Sequence, residues 1–231
     1  MKILLLLLLV PVFTMAQNRI NVTDADVDVN AGFFQVVAGT PVSPTTFYKV
    51  VDGSAYFRDS WSKGSAFLTK DKEYKNLSLK LDLLANELHF KDNKGNEMIC
   101  STPIAGVTLI DSATGQPHHF RHTSFIPALA IGKAAWVEML AEGKAQLYTH
   151  RKKNISETRP YGSATMEQRI LTSDLHYMVV NDQMIKVKKL QDVIDALPDK
   201  KQEVQQWLST NKVEKNPQGF AKVITYYNSL N

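Results

Sequence analysis

The chain has 231 residues, of which 44% are apolar and 22% are charged, and its formal net charge is +4. This is the composition of an ordinary globular protein, and 11 glycines and 9 prolines are too few for a collagen or a low-complexity linker. A single cysteine excludes a disulfide framework within the chain and any zinc site built on paired cysteines. The length suits one domain, or one domain with a small appendage.

Residues 1–16 have the pattern of a secretory signal peptide. Lys2 supplies a positive charge, residues 3–10 form an unbroken aliphatic run, and small residues precede a cleavage position between Ala16 and Gln17. The apolar run is shorter than the ~20 residues that cross a bilayer as a helix, and an uncleaved anchor is the alternative. No later segment stays apolar for long enough to span a membrane, so the mature chain is predicted to have no transmembrane segment.

Residues 17–189 are predicted to form a β-rich body whose first stretch, residues 17–31, is loose. Residues 78–83 and 87–91 alternate polar and apolar side chains, which is typical of half-buried strands. Gly143 and the run 181–183 mark two further tight hairpins. Other strands are predicted at 47–51, 55–57, 65–69, 97–100, 107–110, 120–126, 135–140, 145–148, 176–180 and 184–188. Consecutive hairpins without helical crossovers indicate a mainly antiparallel sheet, and residues 154–162 are predicted to be a second loose segment.

Residues 190–231 are predicted to form three short amphipathic helices. Pro198 ends the first, and Asp199 caps the second. Asn216 followed by Pro217 is a typical start for the third. The apolar faces are Leu190, Val193, Ile194 and Leu197 in the first helix, Val204, Trp207 and Leu208 in the second, and Phe220, Val223, Ile224 and Tyr227 in the third. Such short helices are unstable alone, so they must pack on the body or on a partner.

The predicted fold class is therefore α+β. A curved antiparallel sheet or open barrel of about eight to eleven strands is followed by three short C-terminal helices that cover or brace it.

Several segments resemble a group of exported proteins from Bacteroidetes-type bacteria. The segments are residues 74–82, 87–90, 136–140, 142–144, 197–201, 211–212 and 226–228. The resemblance implies a Gram-negative host, and hence the periplasm, the outer membrane or the medium. It also implies O-glycosylation at a short Asp-Ser/Thr tripeptide, which Asp111-Ser112-Ala113 resembles, so Ser112 is the candidate position. It brings no catalytic residue with it.

Three patterns could hold a metal ion or supply a reactive group, but a purely structural role explains each of them better. His118 and His122 share one face of a strand but stand about 13 Å apart, too far to ligate one ion. Asp24, Asp26 and Asp28 begin like a calcium loop, but Val29 replaces the required glycine and Gln35 the bidentate glutamate. Cys100 has no basic neighbour that would lower its pKa, so a buried, inert thiol is expected. No metal and no cofactor are predicted.

Trp61 is the candidate for ligand binding, because polar residues surround it in a turn setting. Trp136 and Trp207 are instead expected in the core. Two basic clusters, residues 150–153 and 186–189, could meet lipid or acidic glycan, whereas a mature charge of +3 does not favour nucleic acid.

No linear catalytic motif is present, since the chain lacks Gly-x-Ser-x-Gly, His-Glu-x-x-His and a phosphate-binding glycine loop. The sequence therefore favours an exported, non-enzymatic binding or interaction protein of the cell envelope, holding an apolar or amphipathic ligand. The partner would be an envelope protein, a lipid or a glycan. Two alternatives stay open: a glycan hydrolase with paired carboxylates, and a structural component that acts through protein contacts, including the edge of the sheet.

Overall fold

The structure is a computed structural model that describes residue 33 and residues 37–42, 49–69, 72–159, 161–162 and 166–230. The predicted signal peptide, its cleavage position and the acidic run at 24–28 lie outside the described residues. The strands are β1 (Gly39–Pro41), β2 (Lys49–Asp52), β3 (Ser62–Thr69), β4 (Lys72–Asp82), β5 (Glu87–Lys91), β6 (Glu97–Cys100), β7 (Gly106–Ile110), β8 (Pro117–His122), β9 (Trp136–Ala141), β10 (Ala145–Thr158), β11 (Glu167–Val180) and β12 (Gln183–Val187). The C-terminal helices are α1 (Leu190–Ala196), α2 (Lys201–Thr210) and α3 (Pro217–Ser229).

The described strands form one open sheet in the order β1-β6-β5-β4-β3-β7-β8-β9-β10-β11-β12. Their pairings are antiparallel except for β2, which lies parallel to the start of β11. β1 and β12 stand at opposite ends, so the sheet does not close on itself. The predicted α+β class, with helices after an antiparallel sheet, is confirmed. The described residues contribute twelve strands to the sheet, where about eight to eleven were expected.

The face of the sheet that contacts the helices, which we call the inner face, carries two hydrophobic cores side by side. Opposed residues Phe120, Glu138, Thr149, His176 and Val187 form one row across β8 to β12. Directly opposed residues point to the same face of a sheet. Phe120 belongs to the core of the N-terminal half and Val187 to the core beneath the helices. Three polar residues therefore separate the two cores.

The second core is where the predicted helix faces meet the sheet. Leu147 of β10 and Met178 of β11 are fully buried beneath Val223 and Ile224 of α3. The apolar faces predicted for the first and third helices are confirmed, because Val193, Leu197, Phe220 and Tyr227 are also buried there. Ile194 of the first helix is buried as well. On the opposite, outer face, Leu129 packs on Val137, Tyr148 and Val179 in a smaller cluster. Ile126, Ala128 and Ile131, from the same loop as Leu129, pack against this cluster.

The start of α2 differs from the prediction. Its N-cap is Lys200 rather than Asp199, and Lys200 has a positive φ of 56°. Asp199 accepts hydrogen bonds from Tyr227 of α3 and from Lys144 of the β9–β10 turn. The prediction that Asp199 caps this helix was wrong, because its carboxylate accepts from the distant donors Tyr227 and Lys144. The cap predicted for α3 is confirmed, since Asn216 accepts from the backbone N–H of Gly219 at 2.8 Å.

The bounds of two other predicted segments also differ in the structure. Residues 154–158 were expected to be loose, but they continue β10, because their backbone pairs with β11 as far as Thr158. The strand predicted at 120–126 stops at His122, where Thr123–Phe125 forms a 3₁₀ turn. In the described part of the chain, no helix is long and apolar enough to cross a membrane.

Candidate functional site

An open groove of about 520 Å³ lies between α2, α3 and the end of β9. Its floor is apolar, and Trp207 of α2 stacks on Tyr226 of α3 with ring centroids 4.6 Å apart and planes 12° from parallel. Polar residues of α3 form the rim. The groove is lined by Leu140, Trp207, Gln218, Ala221, Lys222, Thr225, Tyr226 and Ser229.

Helix periodicity explains why α3 lines the groove and the core at once. Its buried face is used on the sheet, while Gln218, Lys222, Thr225 and Ser229 recur at three- and four-residue spacing on another face. The helix can start close to the preceding loop only because residue 219 is glycine. A Cβ atom at that position would stand 1.8 Å from the carbonyl oxygen of Glu214.

Polar contacts fix α3 against the sheet beside this groove. Asn228 accepts from the backbone N–H of Ala145 at 2.9 Å and donates to the carbonyl oxygens of Ala145 and Glu142. Gly143 lies in this turn with φ at 141°, and a side chain there would collide with Asn228. The wall of the groove is therefore held by side chain–backbone bonds as well as by the core.

Asp199 adds a second contact between the helices and the β9–β10 turn. It accepts from Tyr227 Oη at 2.6 Å and from Lys144 Nζ at 2.9 Å. These two bonds lower the pKa of the Asp199 carboxyl and oppose its protonation. Burial, followed by the bond to Asp199, raises the pKa of Tyr227, and the bonds to Asp199 and Tyr227 raise that of Lys144. The carboxylate and the ammonium are thus the favoured forms at neutral pH.

Trp61, the residue predicted to bind a ligand, lies on the outer face of the sheet, far along it from the helices. It is half-buried, and its ring lies 6.0 Å from Lys80 of β4 and 5.1 Å from Lys91 of β5. Lys80 also lies 3.7 Å from the ring of Tyr56. Trp61 is therefore part of a cationic and aromatic surface, and it does not line the groove at α2 and α3.

The other two tryptophans, Trp136 and Trp207, differ in their exposure. Trp136 is 4% exposed and packs in the first core, as predicted. Trp207 touches the second core, but it is half-buried and one side of it lines the groove. Trp207 therefore packs against the core as expected, and it also lines the groove because its helix packs at the margin of the sheet.

A polar network separates the two cores on the inner face. Glu138, whose side chain is 6% exposed, lies 2.7 Å from His118 Nδ1 and accepts from Arg151 Nη2 at 2.7 Å. Arg151 also donates to Asp174 at 2.8 Å. The ring of Phe57 lies against both His118 and Arg151. Two carboxylates here share one guanidinium, so these side chains form an ion-pair network.

The three histidines near Pro117 point to different partners. His118 meets Glu138, His119 lies 3.0 Å from Thr108 Oγ1, and His122 packs edge-on against Trp136. No carboxylate lies close to these histidines in the sequence. The strand register nevertheless brings Glu138 to His118, a contact that only the pairing of β8 with β9 could reveal.

Cys100 lines a second, smaller groove of about 390 Å³ together with His122 and Trp136. Its thiol donates to the carbonyl oxygen of Thr102 at 3.2 Å. Burial raises the pKa of Cys100 to about 11. A thiol with that pKa is protonated at neutral pH and is a poor nucleophile, as expected from the sequence.

Ser112 is exposed in the β7–β8 turn, where Asp111 accepts from the backbone N–H of Ala113 at 2.8 Å. The residue is therefore accessible to an enzyme that modifies it, and its glycosylation stays a prediction. In the basic cluster at 150–153, Arg151 is occupied by Glu138 and Asp174, and Lys153 donates to Thr172.

Comparison with known proteins finds no family model that matches the chain, and no match among curated proteins or solved structures.

Proposed function

We propose that this protein is an exported, non-enzymatic binding protein of the cell envelope that holds an amphipathic ligand in the groove between α2, α3 and β9. Export rests on the signal-peptide pattern of residues 1–16. The host compartment would be the periplasm, the outer membrane or the medium. Binding rests on the groove, and the observation that carries it is the stacked pair Trp207 and Tyr226 over an apolar floor.

The size and chemistry of the groove suit a ligand with an acyl chain. Its volume lies within the 300–1,000 Å³ that is usual for small-molecule sites. An apolar chain gains about 0.8 kcal/mol for each buried methylene, and Trp207, Tyr226 and Leu140 supply the surface that would bury it.

The rim selects the head group. Lys222 is exposed at the rim, and its ammonium makes no ion pair with the described residues. Gln218, Thr225 and Ser229 add hydrogen-bonding groups on the same side. An anionic head group would therefore lie at Lys222 while the chain lies on the two rings.

Calorimetric titration with dodecanoate, below its micelle concentration, tests the groove. We expect saturable binding that Trp207→Ala weakens at least about tenfold, because the larger ring surface is lost. Trp61→Ala is the matched control, since it removes another half-buried tryptophan far from the groove, and it should leave binding unchanged. Equal affinities of the two variants would contradict the site.

The charge of the head group is tested by replacing Lys222 with glutamate. Lys222→Glu should weaken binding of dodecanoate and strengthen binding of dodecyltrimethylammonium, whose chain is the same length and whose head is cationic. Native mass spectrometry of protein exported by its own host adds an independent test. A mass that starts at Gln17, with a small molecule lost on denaturation, is expected. A bare chain with no response to either detergent would refute the binding role.

A further inference from the structure

The long hairpin of β10 and β11 leaves one edge of the sheet open. β9 pairs with β10 only at Leu147, Tyr148 and Thr149, whereas β10 and β11 stay paired as far as Thr158. Residues 150–158 therefore have no strand on their other side in the part of the chain that the structure describes. Every second residue of such an edge directs its N–H and C=O outward, which is a template for another strand.

The side chains along this edge have an ordered pattern. Lys153, Ile155 and Glu157 alternate along β10, so they point to the same, inner face beyond the helices. Ile155 is 50% exposed and stands directly opposite Ile170 of β11. A basic, an apolar and an acidic residue thus follow one another at equal spacing, with the apolar residue in the middle.

We propose that two copies of this chain pair through this edge, antiparallel, about a two-fold axis at Ile155. In that register Ile155 faces Ile155 of the partner subunit. Lys153 faces Glu157 of the partner subunit, and Glu157 faces Lys153 of the partner subunit. The two exposed isoleucines, with Ile170 beside each, become one apolar ladder across the joined sheets. A two-fold arrangement is closed, so the product is a dimer and not a fibre.

Neighbouring registers are unfavourable, which makes this one specific. An axis at Asn154 places the Lys153 ammonium opposite Ile155. An axis at Lys153 places two lysines opposite each other, and like charges in that position are destabilising. An axis at Ser156 places Ile155 opposite Glu157. The edge is thus complementary to itself in one alignment, and lysines on an open edge disfavour the others.

This interface is independent of the groove at α2 and α3, so either proposal can fail while the other holds. Sedimentation velocity on the full chain as its host exports it measures the dimer directly. Work at up to about 500 μM detects a dissociation constant as weak as about 1 mM. We expect a concentration-dependent monomer–dimer equilibrium.

Charge exchange identifies the residues. Lys153→Glu converts both cross-subunit pairs into like-charged pairs, and it should raise the dissociation constant at least about tenfold. Glu157→Lys should do the same. The double variant K153E/E157K restores opposite charges across the axis and should recover the native dissociation constant. Lys152→Glu makes the same charge change one residue away on the outer face, opposite Thr158 of the partner subunit, and should change little.

A cysteine at the axis provides a readout that does not depend on charge. In a Cys100→Ala background, Ile155→Cys should form a disulfide-linked dimer under mild oxidation, and Lys152→Cys should not. The thermal unfolding of each variant shows that it is folded. A chain that is monomeric at every concentration, or a dimer that the double variant fails to rescue, would overturn the interface. So would equal crosslinking at positions 152 and 155.

Discussion

The β10–β11 hairpin has a buried base and an exposed arm, although one unbroken register joins the two strands along its whole length. At the base, Leu147 and Met178 are 0% exposed. In the arm, Ile155 and Leu171 are 50% and 53% exposed. The backbone pairing is the same in both halves, so the difference comes from the layers above and below. A strand ladder fixes which residues face each other, and the neighbouring helices decide which of those faces contribute to stability.

Large-to-small substitution should separate the two halves most strongly. Leu147→Ala leaves a cavity beneath α3 and should cost about 2–5 kcal/mol of unfolding free energy. Ile155→Ala removes a side chain that is half in solvent, and it should cost less than about 1 kcal/mol in the monomer. Urea unfolding at low protein concentration measures both. Similar losses at the two positions would show that the arm is packed in solution.

The junction between base and arm lies at Arg151, which binds one buried and one exposed carboxylate. Glu138→Gln leaves the Arg151 guanidinium without its buried countercharge and should cost about 2–3 kcal/mol. Asp174→Asn removes a surface partner of the same guanidinium and should cost less than about 1 kcal/mol. Chemical denaturation of the two variants is the measurement. A larger loss for Asp174→Asn would mean that the buried pair contributes little.

The smallest expected effect is the pH dependence of the helix-covered base. Asp199 has a pKa below its ordinary value of 3.8, because Tyr227 and Lys144 donate to it. Its stabilisation is complete above that ordinary value, and it is lost as pH falls through the lower pKa of the folded state. Stability of the native chain should therefore fall in acid, measured by unfolding between about pH 5 and pH 2. Asp199→Asn should fall less steeply over the same range, and an identical slope would contradict the role of this contact.

Much of the fold could be predicted because the spacing of apolar residues along the chain indicates each strand and helix locally. The alternation at residues 78–83 and the helical spacing of Phe220, Val223 and Ile224 each correspond to a real buried face. The arm could not be predicted in the same way. Residues 154–158 are polar apart from Ile155, and their strand exists because β11 pairs with them.

The candidate groove was missed for a related reason. Trp207 lies on the apolar face of a short helix, and the local pattern cannot tell a core position from a position at the margin of the sheet. A signal was present in α3, where Gln218, Lys222 and Thr225 form a second stripe beside the buried one. The network around Glu138 had a fainter signal, since a charged residue inside the apolar run 136–140 indicates a buried partner. Which residues supply that partner depends on the register of β8 and β10, which the sequence does not encode locally.

The parallel pair of β2 and β11 has a consequence for the order of folding. From β7 to β12, each strand pairs with the one that follows it in the chain, and the β3–β4–β5–β6 run does the same, so these hairpins can form soon after synthesis. Among the described strands, β2 has no such neighbour, because Lys49 pairs with Glu167 far along the sequence. Closing so large a loop costs entropy that no local contact repays. The pairing of β2 should therefore be a late step in folding, because β2 lies early in the chain and its partner β11 is one of the last strands.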